Sequence, residues 1–269
     1  MKGKQEIVIE HPEAWELLVS LDDKRVRYGL FTPAVANSLH IGDIACTDDS
    51  LHGLEDAVYN TSLLLNEYKR VRVVVYPRHF LLLPQDVTDE VCIDLLHEAF
   101  PACDADVAVC LMPRNGVKIA FGMPSGTHAF LGRTFNYPAV IPHLVPLCEH
   151  CSSLVCNDNL KRMFLHLSES RLDMIIFNGD KMVCANSFSV TGPQDARYYA
   201  LAAWRSWLMD QLNDELFLFG DNSLQATMTP LLREFVKQVK PAVFPVAAMR
   251  LGRNAMQAPF ELMLLALCE

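Results

Sequence analysis

LLVSLDDKRVRYGLF, residues 17–31, and MFLHLSESRLDMIIF, residues 163–177, carry the same order of apolar and polar residues 146 positions apart. Each stretch has the pattern of two apolar strands joined by a short polar turn. Three pairs of residues are identical in this alignment: Leu21 and Leu167, Arg25 and Arg171, and Phe31 and Phe177. A supersecondary pattern that recurs at a fixed offset predicts that the chain contains two related halves.

The elements that follow each stretch support this duplication. In the first half we predict strands at 15–21, 25–32 and 38–45, a helix at 50–68 and a strand at 71–76. In the second half we predict strands at 162–167, 172–177 and 182–190, a helix at 194–211, a strand at 215–219, a helix at 229–239 that has Pro230 in its first turn, and a strand at 242–246. Strands that alternate with helices in this order predict an α/β protein with mixed sheets covered by helices.

Composition and charge narrow the class of protein. Apolar residues make up 51% of the 269 residues, and 23 basic against 32 acidic residues give a formal charge of −9. This charge argues against a nucleic-acid partner, because phosphate neutralisation requires clustered Lys and Arg. We see no export signal and no apolar run long enough to span a membrane. Nine cysteines are then expected to be reduced, which predicts a soluble cytoplasmic protein.

Four segments carry a resemblance to a known fold family: the two triple-strand starts, LFLFGDNS at 216–223, and VVVYPRHFLLLPQDVTDEVCIDLLHEAF at 73–100. Together they resemble the actin-like ATPase superfamily, and more closely a family of uncharacterised bacterial proteins assigned this fold. The segment at 73–100 is similar to the inserted subdomain of actin-like proteins of pilus assembly and type II secretion. The resemblance implies two ribonuclease H-like halves, residues 1–150 and 151–269, with an insert at about 77–122 in the first half.

The same resemblance implies a cleft between the halves where relatives bind nucleotide. Its candidate residues here are Asp22, Asp23, Glu169, Gly220 and Asp221. Relatives carry glycines in each first hairpin turn, which let backbone amides approach phosphates. Both turns lack glycine here, and the loop on the adenosine side has one glycine where relatives usually have two. We therefore predict a degenerate nucleotide site without cofactor or catalytic residues.

Two catalytic interpretations of these acidic residues stay open. The first is a divergent Mg²⁺-dependent ATPase or phosphotransferase in which Asp22 holds the metal. The second is a ribonuclease H-like acidic cluster, since acidic residues at strand ends can hold Mg²⁺. Ordinary turn chemistry is the simpler alternative, because Asp favours turns.

A cluster of cysteines suggests zinc. Cys148 and Cys151 form a Cys-x-x-Cys pair, and Cys156 follows five residues later. Three thiolates could supply part of a tetrahedral Zn²⁺ site. The segment is also helical in pattern, where cysteine packs as a small apolar residue, and a second pair is missing. We expect no metal and keep a zinc-binding protein as an alternative.

Four aromatic residues, Tyr198, Tyr199, Trp204 and Trp207, enrich one predicted helix. They form either a binding face for a partner or core packing against a sheet. His166 has no visible partner in the sequence and receives no role. The function predicted from the whole sequence is a non-catalytic binding or scaffold protein with a protein partner yet to be identified. The sequence does not determine the oligomeric state.

Overall fold

A computed structural model of the chain describes residues 9–22, 24–48, 50–101, 105–242 and 244–267. Its strands are β1 (Glu16–Asp22), β2 (Arg25–Phe31), β3 (His40–Ala45), β4 (Arg70–Val75), β5 (Phe80–Pro84), β6 (Ala105–Met112), β7 (Val117–Pro124), β8 (Ala139–Pro142), β9 (Lys161–Leu167), β10 (Arg171–Asn178), β11 (Lys181–Ser189), β12 (Glu215–Gly220) and β13 (Gln238–Pro241). Its α-helices are α1 (Leu51–Tyr59), α2 (Asp89–Ala99), α3 (Thr127–Phe135), α4 (Leu144–Ser152), α5 (Pro193–Ser206), α6 (Asn222–Arg233) and α7 (Phe260–Leu267).

Two five-stranded sheets share one topology. The first has the order β3-β2-β1-β4-β8, and the second has the order β11-β10-β9-β12-β13. In each sheet the first three strands in sequence are antiparallel, and the two later strands add in parallel. The prediction of a duplicated α/β unit with mixed sheets is confirmed.

The register of the two hairpins reproduces the sequence repeat. Leu21 pairs with Val26 in the first hairpin, and Leu167 pairs with Leu172 in the second, which is the same pair displaced by 146 positions. Both turns are therefore equally short.

Alternation along the central strands builds the main core of each sheet. In the first, Leu17, Val19 and Leu21 belong to one apolar cluster with side chains of α1 and α3. In the second, the equivalent residues Met163, Leu165 and Leu167 pack with side chains of α5 and α6. Alternate strand residues point to the same face, so the repeat positions the same face of each sheet against its helices.

The insert of the first half is a small sheet with one helix. Its three strands have the order β5-β7-β6, and α2 contacts β5 and β7. Cys92 and Leu96 of α2 pack on Ala120 of β7 in a separate small core. These elements run from 80 to 124, close to the predicted insert at 77–122.

The chain forms two compact units. One contains Met1–Leu111, Val117–Val145 and Pro245–Glu269, and the other contains Met112–Gly116 and Pro146–Phe244. This division differs from the predicted halves, residues 1–150 and 151–269, mainly because the C-terminal segment joins the first unit.

The C-terminal helix explains that difference. Helix α7 contacts β1 and β4 of the first sheet, and Glu261–Leu265 are all buried. Burial of a side chain such as Leu262 or Leu265 stabilises the packing by about 1.5–3 kcal/mol. Arg72 fixes the helix further, since its Nη1 donates to the carbonyl oxygen of Leu265 at 2.6 Å while its Nη2 pairs with Glu16 Oε2 at 2.8 Å.

Three predicted elements need correction. The helix predicted at 229–239 is α6, which begins at Asn222 because Asp221 caps it, and Pro230 lies inside the helix. The strand predicted at 242–246 is β13, which ends at Pro241. The helix predicted at 50–68 is α1, which ends at Tyr59 and is followed by a short 3-10 turn at Ser62–Leu65.

Candidate functional site

The parallel strands β9 and β12 end side by side at Leu167 and Gly220. We call this end of the second sheet the carboxyl edge. Open α/β sheets generally bind ligands at this end of their parallel strands. Three of the candidate residues, Glu169, Gly220 and Asp221, lie at or beside it.

Gly220 is needed for backbone packing at the carboxyl edge. Its φ is +97°, and a Cβ atom there would lie 2.2 Å from the carbonyl oxygen of Leu167. That carbonyl is held in place because it accepts a hydrogen bond from Asp221 N at 2.9 Å. Only glycine fits this conformation and this space, so its presence needs no nucleotide to explain it.

Asp221 caps helix α6. Its Oδ1 accepts hydrogen bonds from Ser223 N at 2.8 Å and from Leu224 N at 2.9 Å. The hydrogen bond from the Leu224 amide is the main cause that lowers the pKa of the Asp221 carboxyl below its ordinary value of 3.8. The carboxylate therefore occupies the positive end of the helix, where an external anion would otherwise bind.

Glu169 lies in the turn between β9 and β10. This turn has two central residues, Glu169 and Ser170, and both the amide and the hydroxyl of Ser168 donate to Arg171 O at 3.0 Å. The Glu169 side chain is exposed. The turn is closed by its own hydrogen bonds and offers a carboxylate to solvent.

In the first unit, Asp22 ends β1 opposite Arg25. Asp23 lies outside the described residues. Lys24 accepts a hydrogen bond at its carbonyl oxygen from Cys46 N at 2.9 Å. Of the five predicted residues, the second unit therefore holds Glu169, Gly220 and Asp221, and Asp22 belongs to the first unit.

The cysteine cluster is divided between interior and surface. Cys148 and Cys151 are fully buried, and burial raises the pKa of both thiols well above the ordinary value of 9.0. Cys156 is exposed, and its thiol donates to Asp158 Oδ2 at 3.2 Å. In the part of the chain that the structure describes, these three sulfurs do not come together as a group of metal ligands. Since zinc binds thiolates, protonated buried thiols are poorly suited to hold it.

The sequence analysis missed a buried polar group in the second sheet. Asp173 is fully buried on β10, and its carboxylate accepts from Ser187 Oγ at 2.6 Å and from Arg171 Nε at 3.1 Å. His166, which received no role, has Nδ1 2.9 Å from Asp173 Oδ2. An acidic residue inside the apolar strand LDMIIF was the available signal, because a buried carboxylate requires partners.

The four aromatic residues in and just after α5 were interpreted either as a binding face or as core packing, and the structure divides them between core and surface. Trp204 is buried, and Tyr199 stacks on Phe188 with ring centroids 4.5 Å apart. These two belong to the core. Tyr198 and Trp207 are 68% and 38% exposed. The helix therefore presents no continuous aromatic face.

Comparison with known proteins identifies the family. Residues 4–239 match a family described as "Protein of unknown function (DUF3822)". The chain belongs to this family. No curated protein matches the DUF3822 chain.

Solved structures show its fold. The DUF3822 chain is similar to a protein of unknown function with an actin-like ATPase fold from Bacteroides thetaiotaomicron VPI-5482, with 23% identity, a TM-score of 0.80, and coverage of 96% of this chain and 97% of that chain. It is also similar to a chain of the PilM-PilN type IV pilus biogenesis complex, with 11% identity, a TM-score of 0.56, and coverage of 95% and 98%. The cytoplasmic domain of EpsL, an inner membrane component of the type II secretion system of Vibrio cholerae, gives 11% identity, a TM-score of 0.47, and coverage of 93% and 97%. The DUF3822 chain has the actin-like ATPase fold, as the resemblance implied.

The described helices of the DUF3822 chain are all too short or too polar to cross a membrane.

Proposed function

We propose that this DUF3822 protein is a non-catalytic scaffold that binds another protein. The observation that carries the proposal is that backbone amides at the carboxyl edge donate their hydrogen bonds within the chain. The amides of Ser168, Asp221, Ser223 and Leu224 all donate to oxygen atoms of the chain itself. Because these four donors are used within the chain, they are not free to bind a phosphate.

Phosphate binding in loops depends on several free amides that converge on one anion. A two-residue turn such as Glu169-Ser170 supplies few of them, and Ser168 beside it is already bonded to Arg171. The carboxylates of Glu169 and Asp221 add negative charge where a phosphate would lie. Like charges at short range disfavour binding, so both geometry and electrostatics support a site without nucleotide.

A protein partner is supported by the fold shared with a chain of the PilM-PilN complex. That structure shows this fold within a protein complex, although at 11% identity the likeness extends to the fold alone. The seven described cysteines are all free, which supports a reducing compartment such as the cytoplasm.

The rival function is a divergent Mg²⁺-dependent ATPase that uses Asp22. The variant Asp22→Ala separates the two functions. On the rival view the variant abolishes phosphate release from Mg-ATP. On the scaffold view wild type and variant show the same background rate, and both retain the protein partner.

Affinity capture from the native cell, with the full chain tagged and cross-linked before lysis, tests the scaffold function. We expect one protein to be recovered reproducibly with both wild type and Asp22→Ala, and hydrogen exchange to locate a protected surface on the chain. Recovery of no protein, together with turnover of a phosphorylated substrate, would overturn the proposal in favour of an enzyme.

A further inference from the structure

Helix α2, in the insert of the first unit, carries two partly exposed apolar side chains beside a row of acidic ones. Thr88 caps the helix, and its inner face is anchored by Cys92 and Leu96, which are 0% and 1% exposed. Val91 and Leu95 lie one turn apart and are 46% and 36% exposed. Side chains at i and i+4 are neighbours on a helix, so these two form one apolar row on the flank of the helix, beside the small core.

An acidic row adjoins this apolar row. Glu90, Asp94 and Glu98 follow one another at intervals of four, and all three are exposed. Within the described ranges, Lys118 pairs with Asp89 at 2.7 Å, and no basic side chain lies within 4.0 Å of the carboxylates of the acidic row. Like charges at i and i+4 destabilise a helix, so Asp94 and Glu98 repel each other, while Glu90 is partly balanced by the charge of Lys118, which pairs with Asp89.

We propose that the exposed face of α2, formed by Val91, Leu95, Glu90, Asp94 and Glu98, docks a basic amphipathic helix of a partner protein. This inference rests on the proposed scaffold function and gives the partner a chemistry. A ridge of two apolar side chains suits packing against the apolar stripe of another helix. The row of three carboxylates selects Lys and Arg on the flank of that stripe, and the net charge of −9 of the whole chain favours encounter with a basic segment.

A labelled synthetic peptide serves as the probe. It is an 18-residue helix with leucines at i, i+4 and i+7 repeats and lysines on its flanks, and a peptide of the same composition in scrambled order controls for charge alone. Fluorescence anisotropy measures binding to the full chain at two salt concentrations. We expect the ordered peptide to bind at least tenfold more tightly than the scrambled peptide.

Three variants locate the binding. Val91→Gln with Leu95→Gln should weaken binding of the ordered peptide at least tenfold, and Glu90→Gln with Asp94→Asn and Glu98→Gln should remove most of its salt dependence. Tyr198→Gln, an exposed aromatic position of the second unit, is the matched control and should leave binding unchanged. Circular dichroism of each variant verifies that it folds, which is expected because all the changed side chains are exposed.

The outcomes separate this inference from the scaffold function. Equal binding of the ordered and scrambled peptides, or unchanged binding by the Val91/Leu95 variant, overturns the α2 inference even where a cellular partner is captured. A chain that hydrolyses Mg-ATP through Asp22, while its Val91/Leu95 variant still loses the peptide, overturns the scaffold function and leaves the α2 surface in place.

Discussion

Replacing Gly220 by alanine should destabilise the second unit in the absence of any ligand. The residue has φ +97°, and the new Cβ would lie 2.2 Å from the carbonyl oxygen of Leu167. A left-handed conformation costs an L-residue about 1–2 kcal/mol. Relief of the clash requires the backbone to move and weakens the Asp221 N to Leu167 O hydrogen bond, which adds about 0.5–1.5 kcal/mol.

The expected loss in the free energy of unfolding is therefore about 1.5–3.5 kcal/mol, which is roughly tenfold to a few hundredfold in the folding equilibrium. Urea denaturation followed by tryptophan fluorescence measures it, since Trp204 and Trp207 both lie in the second unit. Gly192→Ala is the matched control, because Gly192 has φ 173° at the start of α5 and no atom within 4 Å of a new Cβ.

We expect Gly192→Ala to change stability by less than about 1 kcal/mol. Equal midpoints for the two variants would refute the claim that backbone packing requires Gly220. That result would return Gly220 to the role of a residue kept for ligand approach.

Three further predictions concern other parts of the molecule. Asp221→Ala should cost about 1 kcal/mol at pH 7 because α6 loses its cap. Since the folded-state pKa of Asp221 is lowered, the charge-dependent part of its stabilisation is present above its ordinary value of 3.8 and is lost as the pH falls through the folded-state pKa. Iodoacetamide labelling of the native protein, read by peptide mass spectrometry, should modify exposed Cys156 before buried Cys148. Arg72→Ala should cost about 3 kcal/mol and speed amide exchange in α7, because it leaves the Glu16 carboxylate buried without its ion-pair partner.

Each of these predictions has a contradicting result. A pH-independent difference between wild type and Asp221→Asn would show that the Asp221 charge does not stabilise α6. Labelling of Cys148 as fast as Cys156 would show that the α4 thiols are accessible. Arg25→Ala, which removes a half-exposed ion pair with Asp43, is the control for Arg72 and should cost less than about 1 kcal/mol. Equal losses for the two arginine variants would contradict the role of Arg72 in holding α7.

The duplicated sheets could be predicted from the sequence alone. The match of Leu21 to Leu167 became an identical hairpin register, because a strand slipped by one residue would turn these side chains to the opposite face of the sheet and away from the helices they pack against. Glu169, Gly220 and Asp221 lie at one edge because the parallel strands β9 and β12 end together, and their role as a ligand site stays a prediction.

The sequence alone did not predict the elements whose placement depends on contacts between residues far apart in the chain. Helix α7 is apolar except for Glu261, so no periodic pattern shows which sheet it covers, and its contact with β1 and β4 links residues far apart in the chain. Pro230 suggested a helix start, but the Asp221 cap fixed the start two turns earlier. Local hydrogen bonds, such as those from Ser223 N to Asp221 Oδ1 and from Ser168 N to Arg171 O, likewise decide which amides of the candidate site are free. Such bonds depend on geometry that residue types alone do not give.

Calorimetric titration of the purified full chain with Mg-ATP tests the central claim most directly. The claim is that an actin-like ATPase fold persists here without its phosphate-binding groups. We predict no saturable heat of binding up to millimolar Mg-ATP. A stoichiometric transition with micromolar affinity, roughly −8 kcal/mol, that disappears in Asp22→Ala would contradict it.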